Sequence, residues 1–186
     1  MVYLFVFDWY GNSVTLMTTL YKCVNGNVVN VRGATKRQRE LACDIVQYCI
    51  KELMPRLRTL DIDVELGKCM DVGAFGFCYA LDTNREYQIE IDKRLYKNMR
   101  KAFIQTLCHE MVHCWQQAKN QLVDRVYPKK LGYRRLWKNQ RTGEYQDHSK
   151  TAYSKQPWEL QAYRMEKKLF KGFMEEHGYC LKMEHG

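Results

Sequence analysis

The segment from residue 97 to residue 119 limits the fold more than any other part of the chain, because its apolar residues recur every three to four positions. That spacing is typical of a helix with one buried face, so it predicts an α-helix over most of the segment. Inside this helix the sequence reads Cys108-His109-Glu110-Met111-Val112-His113-Cys114. The fold must therefore bury a helix that carries two histidines and a glutamate.

His109 and His113 lie four residues apart, so both imidazoles leave the helix on the same face, one turn apart. At that spacing both can bind one cation at the usual zinc–nitrogen distance of about 2.0–2.1 Å. Glu110 projects beside that face, where a carboxylate can take a proton from a zinc-activated water. The H-E-x-x-H motif predicts about one zinc ion per chain, with both histidines as ligands and Glu110 as the general base of a hydrolysis.

The remaining periodicities predict an α+β fold. Runs of apolar, β-branched or alternating residues predict strands at 2–7, 14–23, 27–31, 62–66, 77–81 and 87–92. Asn25-Gly26 predicts a tight hairpin between the second and third runs, and the polar link over residues 82–86 predicts another between the last two. Residues 120–156 show no sustained period, which predicts a long irregular segment.

Two further helices are predicted from their first residues. Thr35 and Gln38 form a capping box that begins a helix over residues 36–57, although Pro55 falls near its end. Pro157 suits the first position of a last helix, over residues 157–176.

Length and composition predict one domain over residues 1–186, with residues 1–34 as a β-hairpin appendage. The 30 lysines and arginines exceed the 21 acidic residues, a balance that favours polyanionic partners. No apolar run reaches the about 20 residues that span a bilayer, so we expect a cytoplasmic protein without a membrane partner. None of the eight cysteines forms a C-x-x-C pair, which argues against a zinc ribbon.

A family resemblance is carried by Phe103-Ile-Gln-Thr-Leu-Cys-His-Glu-Met-Val-His-Cys-Trp-Gln-Gln117 and by the preceding Tyr87-Gln-Ile-Glu-Ile-Asp92. Together they resemble the core of SprT-like (Spartan-like) zinc metallopeptidases, particularly the phage-encoded relatives, over about residues 60 to 175. The resemblance implies a zincin-like fold, with a small sheet packed on the active-site helix and a strand that holds substrate in extended form. It also implies zinc binding by His109 and His113, catalysis by Glu110, and the host cytoplasm for a phage protein.

The chain departs from that family at the third zinc ligand, because no histidine follows soon after the motif. Catalytic zinc generally takes three protein ligands, and two residues qualify here. Glu159 begins the last helix on a stripe predicted to face inward, where a carboxylate needs a cation. The other members of this stripe are Ala162, Met165, Leu169 and Phe173. His148 lies in the irregular segment without such an anchor. The sequence favours Glu159, with His148 as the rival and a simple helix-dipole carboxylate as the alternative role of Glu159.

Two tyrosines are predicted near this site. Tyr163, one turn beyond Glu159, and Tyr153 could donate a hydrogen bond to the oxyanion of a tetrahedral intermediate. Packing is the alternative role for each of them.

A basic segment runs from Arg125 to Arg141, with seven cations, no acid and interleaved aromatic residues. Such a mixture suits phosphate contacts and base stacking on single-stranded DNA, and a solvated basic loop is the alternative. The predicted nucleic-acid contacts are Arg134, Arg135, Trp137 and Lys138.

These patterns favour a zinc metallopeptidase that acts on proteins or peptides, including DNA-associated proteins. The alternatives are a nucleic-acid-binding protein, or a phage structural or accessory protein, that keeps a zincin-like fold with little or no peptidase activity. Motif and composition leave the oligomeric state open.

Overall fold

A computed structural model describes residues 20–69, 73–127 and 132–178. Within these ranges the chain has the predicted α+β composition, with four α-helices and two β-sheets. The strand predicted at residues 2–7 and most of the one predicted at 14–23 lie outside the described residues. No described helix combines the length and apolar character that crossing a membrane requires.

The main sheet has five strands in the order β1-β2-β3-β5-β4. They are β1 (Leu20–Val24), β2 (Asn27–Gly33), β3 (Asp61–Gly67), β4 (Gly76–Ala80) and β5 (Glu86–Asp92). Both predicted hairpins are confirmed, since β1 pairs antiparallel with β2 and β4 with β5. At the first turn Asn25 and Gly26 have φ angles of 52° and 81°, the left-handed region that this dipeptide tolerates.

The pairing of β2 with β3 is parallel, and so is that of β3 with β5. Because β2 is bonded on both sides, residues 20–33 are part of the main sheet and do not form an appendage of their own. The rest of the appendage range, residues 1–19, lies outside the described residues.

The core lies on one face of this sheet. Alternate side chains of the central strands are buried, among them Val29, Val31, Ile62, Val64, Ile89 and Ile91. Helices α1 (Lys36–Leu53) and α3 (Arg100–Ala118) pack together over that face, and α4 (Pro157–Glu176) packs against α3. The seven cysteines in the described ranges are free, and six are buried as small apolar side chains.

The helices begin largely where the sequence predicts. Thr35 and Gln38 form the expected capping box of α1, and Pro157 begins α4. However, α1 ends at Leu53 rather than at residue 57, because the residue before Pro55 is sterically disfavoured in a helix. The helix predicted over 97–119 is divided at Met99 (φ −147°, ψ 67°) into α2 (Arg94–Asn98) and α3.

The prediction of an irregular segment over residues 120–156 is wrong. Much of it forms a second, antiparallel sheet of β6 (Leu122–Tyr127), β7 (Gly132–Lys138) and β8 (Tyr145–Asp147). Charged residues pair across these strands, as in the ion pair of Asp124 and Arg135 at 2.8 Å. Because such pairs can replace alternating apolar residues, the strands leave little periodic signal in the sequence.

Gly172 of α4 lies against Tyr48 of α1, so a substitution at this glycine tests how tightly the two helices pack. A Cβ at Gly172 would overlap the hydroxyl of Tyr48, whose ring packs edge-on against Phe173 at 5.6 Å. Gly172→Ala gains about 1 kcal/mol of helix propensity, but overpacking a core costs about 1–3 kcal/mol. We expect a net loss of unfolding free energy in urea titrations. Tyr48→Phe in the same chain should recover part of it, and a stabilised Gly172→Ala protein would contradict this packing.

Candidate metal centre

Helices α3 and α4 bring three side chains to one point. His109 and His113 lie one turn apart on α3, and Glu159 in the first turn of α4 faces both of them. All three are buried, with Glu159 only 1% exposed. A carboxylate taken this far from water requires a positively charged partner, which the sequence predicted for this position.

The distances between the donor atoms fit a single cation. His109 Nε2 lies 3.1 Å from His113 Nε2 and 3.2 Å from Glu159 Oε2, and His113 Nε2 lies 3.5 Å from Glu159 Oε1. Tetrahedral ligands at 2.0–2.1 Å from a zinc ion would be separated by about 3.3 Å. These three residues could therefore hold a metal ion.

The His109 imidazole and the Glu159 carboxylate shift each other's pKa. Burial lowers the pKa of His109, but hydrogen bonds to Glu159 and Glu166 outweigh it and raise that pKa to about 10. Burial raises the pKa of Glu159, but hydrogen bonds from His109 and His113 outweigh it and lower that pKa to about 2. These interactions favour the charged forms of both side chains, the imidazolium of His109 and the carboxylate of Glu159.

The raised pKa of His109 predicts how metal binding depends on pH. His109 must lose the Nε2 proton before that nitrogen can bind a cation, so binding at pH 7 should release a proton. Below the His109 pKa of about 10, the apparent affinity should rise about tenfold for each unit of rising pH. Calorimetric titration of the metal-free protein in buffers of different ionisation enthalpy measures the proton. Binding without proton release, and with affinity independent of pH, would show that His109 is neutral before the metal arrives.

Each histidine has a second partner at its other ring nitrogen. His109 Nδ1 lies 2.6 Å from Glu166 Oε2, and His113 Nδ1 lies 2.8 Å from Gln116 Oε1. Such partners fix the orientation and tautomer of metal-binding histidines.

Neither Glu166 nor Gln116 was identified from the sequence. The available signal was spacing, because Glu166 follows Glu159 by two helical turns and Gln116 follows His113 by one. The predicted inward stripe of α4 instead included Met165, which is only partly buried, whereas Glu166 is 5% exposed.

Glu110 lies beside the donor group and is itself buried. Burial raises the pKa of Glu110, while His113 and His109 counteract part of the rise. A Cβ at Gly76 would lie 3.1 Å from Glu110 Oε1, so the backbone of β4 passes directly beside this carboxylate. Glu110 thus lies between the two histidines and β4, the last strand of the main sheet within the described residues.

A cleft of about 790 Å³ opens at this point. The first residues of β4 and the loop before it form one wall, and α3 forms the floor with His109, Glu110 and His113. Arg135 and residues at the beginning of α4 complete the lining. The cleft therefore gives access from solvent to both the donor group and Glu110.

Both predicted tyrosines line this cleft. The ring of Tyr163 lies 5.0 Å from that of His109, and Tyr153 lies close enough to Glu159 for that carboxylate to help raise the pKa of its phenol. Burial raises the pKa of each phenol, so both are neutral hydrogen-bond donors at pH 7. Their role toward an oxyanion stays a prediction.

His148, the rival third ligand, lies elsewhere in the structure. Its ring packs edge-on against Trp158 at 6.1 Å. Within the described ranges, it is Glu159 and not His148 that joins the two histidines.

The four predicted nucleic-acid contacts do not share one environment. Arg134 binds Ser149 and approaches Asp147, whereas Arg135 forms two hydrogen bonds with Asp124 and lines the cleft. The basic segment contains no acid, yet the strands bring acids in from just outside it.

The other two residues of that prediction also lie apart. Trp137 packs 6.4 Å from Trp158, and the Lys138 ammonium lies 5.8 Å from the Tyr145 ring. Nucleic-acid binding stays a prediction.

Comparison with protein-family models finds no match to the chain, and comparison with curated proteins finds none either.

Proposed function

We propose that the protein is a zinc-dependent metallopeptidase with a zincin-like fold, similar to the SprT-like peptidases. The observation behind the proposal is that donor atoms of His109, His113 and Glu159 lie within 4.8 Å of one another, with the Glu110 carboxylate lining the same cleft. Two imidazoles and one carboxylate are a common ligand set of catalytic zinc, and a fourth position is left for water. Zinc bound there supplies a Lewis acid that lowers the pKa of water to about 7.

The protein's own residues supply the proton transfers. Glu110 accepts the proton of the attacking water and delivers it to the leaving amine. Burial suits Glu110 to this role, because a raised pKa makes its carboxylate a stronger base. Tyr163 and Tyr153, which line the same cleft, are the proposed hydrogen-bond donors to the oxyanion that would form at the scissile carbonyl.

Strand β4 gives the substrate a backbone partner. It is the last strand of the main sheet in the described structure, and it borders the cleft beside Glu110. An extended peptide can pair with such an edge through main-chain hydrogen bonds. Peptide pairing at β4 would bring a scissile bond over α3, which supports a protein or peptide substrate.

Hydrolysis of casein by the purified protein tests this proposal. A chelator should abolish cleavage, and one equivalent of zinc should restore it. Cleavage that persists in the chelator would contradict a metallopeptidase, as would a zinc-loaded protein that cleaves neither casein nor a mixed peptide library.

We propose single-stranded DNA binding as a second candidate function. It is supported by Arg125 and Lys138, which lie 5.3 and 5.8 Å from the Tyr145 ring on the β6–β8 sheet. Cations beside an aromatic ring suit a phosphate backbone with stacked bases. Affinity should fall steeply with salt, and replacing Arg125, Arg134 and Lys138 together by Ala should flatten that dependence. Absence of a gel shift even at low salt would contradict the proposal.

A further inference from the structure

The Nδ1 partners of the two histidines of the metal centre lie on different helices. Gln116, the Nδ1 partner of His113, lies on α3, the helix that carries His113 itself. Glu166, the Nδ1 partner of His109, lies on α4. The orientation of His109 therefore depends directly on the packing of α4 against α3. That of His113 depends on it through Gln116, whose amide donates to Trp158 O and Gln161 Oε1 of α4, both at 2.9 Å.

Glu166 is itself fixed at both oxygens. Its Oε2 accepts from His109 Nδ1, and its Oε1 accepts from Gln105 Nε2 at 2.7 Å. Gln105 lies one turn before His109 on α3, so the three side chains form a closed bridge between the two helices. The Glu166 side chain is only 5% exposed, which favours these two hydrogen bonds over bonds to water.

We propose that Glu166 is a positioning residue that makes metal binding depend on the docking of α4. A carboxylate accepts a hydrogen bond from Nδ1–H, so His109 keeps its proton on Nδ1 when Nε2 loses its own and becomes free to bind a cation. The same helix supplies Glu159 two turns earlier. Docking of α4 thus delivers one ligand and orients a second, and by linkage a bound metal stabilises the docked helix. This inference rests on the metal centre of the proposed function but not on peptidase activity.

The test compares zinc affinities by chelator competition. Glu166→Ala should bind zinc about 10–100-fold more weakly than wild type, the usual cost of losing the partner of a metal-binding histidine. Glu166→Gln should lose less, because its amide oxygen still accepts from Nδ1–H. Glu175→Gln is the matched control and should bind zinc as wild type does. Glu175 is an exposed glutamate of α4 that lies 3.8 Å from Lys171.

Two further measurements distinguish a positioning role of Glu166 from an effect on the stability of the whole fold. The visible spectrum of Co²⁺-loaded Glu166→Ala should differ from wild type, because a misoriented His109 changes the coordination geometry. Amide hydrogen exchange in α4 should slow on metal binding in wild type and much less in the variant. If Glu166→Ala does not fold, Glu166→Gln and Gln105→Ala take its place, with a loss of affinity expected in each.

Wild-type zinc affinity in the folded Glu166 variants, with an unchanged Co²⁺ spectrum, would overturn this inference and leave the proposed function standing. A wild-type protein that binds no zinc would overturn both. Zinc binding with the expected Glu166 effect but without peptide hydrolysis would overturn only the peptidase.

Discussion

Glu110→Gln is expected to keep its zinc and to lose about 10²–10⁴-fold in peptide hydrolysis, the usual contribution of a general acid–base residue. The amide is nearly the same size as the carboxylate but cannot take a proton from water. Zinc content should not change, because the metal-binding group is His109, His113 and Glu159, and Glu110 lies beside it.

The measurement is kcat/KM on a casein-derived peptide, made together with metal analysis of the same preparations. Glu175→Gln, an exposed substitution of the same chemistry, is the control and should retain full activity. Undiminished hydrolysis by Glu110→Gln would reject the role of Glu110 as general base.

Glu159→Ala is expected to have the largest effect on metal affinity outside the two histidines. It removes a carboxylate whose oxygens lie 3.2 and 3.5 Å from the two Nε2 atoms. The loss of zinc affinity should be greater than about 10–100-fold, the usual cost of removing a residue that supports a ligand without binding the metal itself.

His148→Ala is the matched comparison, because His148 packs against Trp158 and lies outside the donor group. Its zinc affinity should stay close to wild type. A competition titration in which His148→Ala loses zinc and Glu159→Ala retains it would transfer the third ligand to His148.

The parts of the site that the sequence predicts are those set by spacing along one helix. His109 and His113 share a face of α3 because four residues make about one turn, and Pro157 fixes the beginning of α4 close to Glu159. These relations are local, so they are readable without knowing how the helices pack. The capping box at Thr35 and the hairpin at Asn25-Gly26 are predictable for the same reason.

The parts that the sequence does not predict depend on contacts between elements. Glu166 reaches His109 across 57 positions of sequence, through helix packing that periodicity does not describe. Arg135 is a second residue whose contacts the sequence does not predict. It lies in a run of cations, which suggested a nucleic-acid surface. Its cross-strand partner Asp124 and its position in the cleft become visible only once β6 and β7 pair.

Metal analysis of purified wild type beside His113→Ala tests whether these side chains form a metal centre. Both imidazoles converge on one point with Glu159, so wild type should hold about one zinc ion per chain after mild dialysis. His113→Ala should hold much less, since only one imidazole and one carboxylate remain. Equal zinc content in the two proteins, or none in either, would contradict a metal centre at this site.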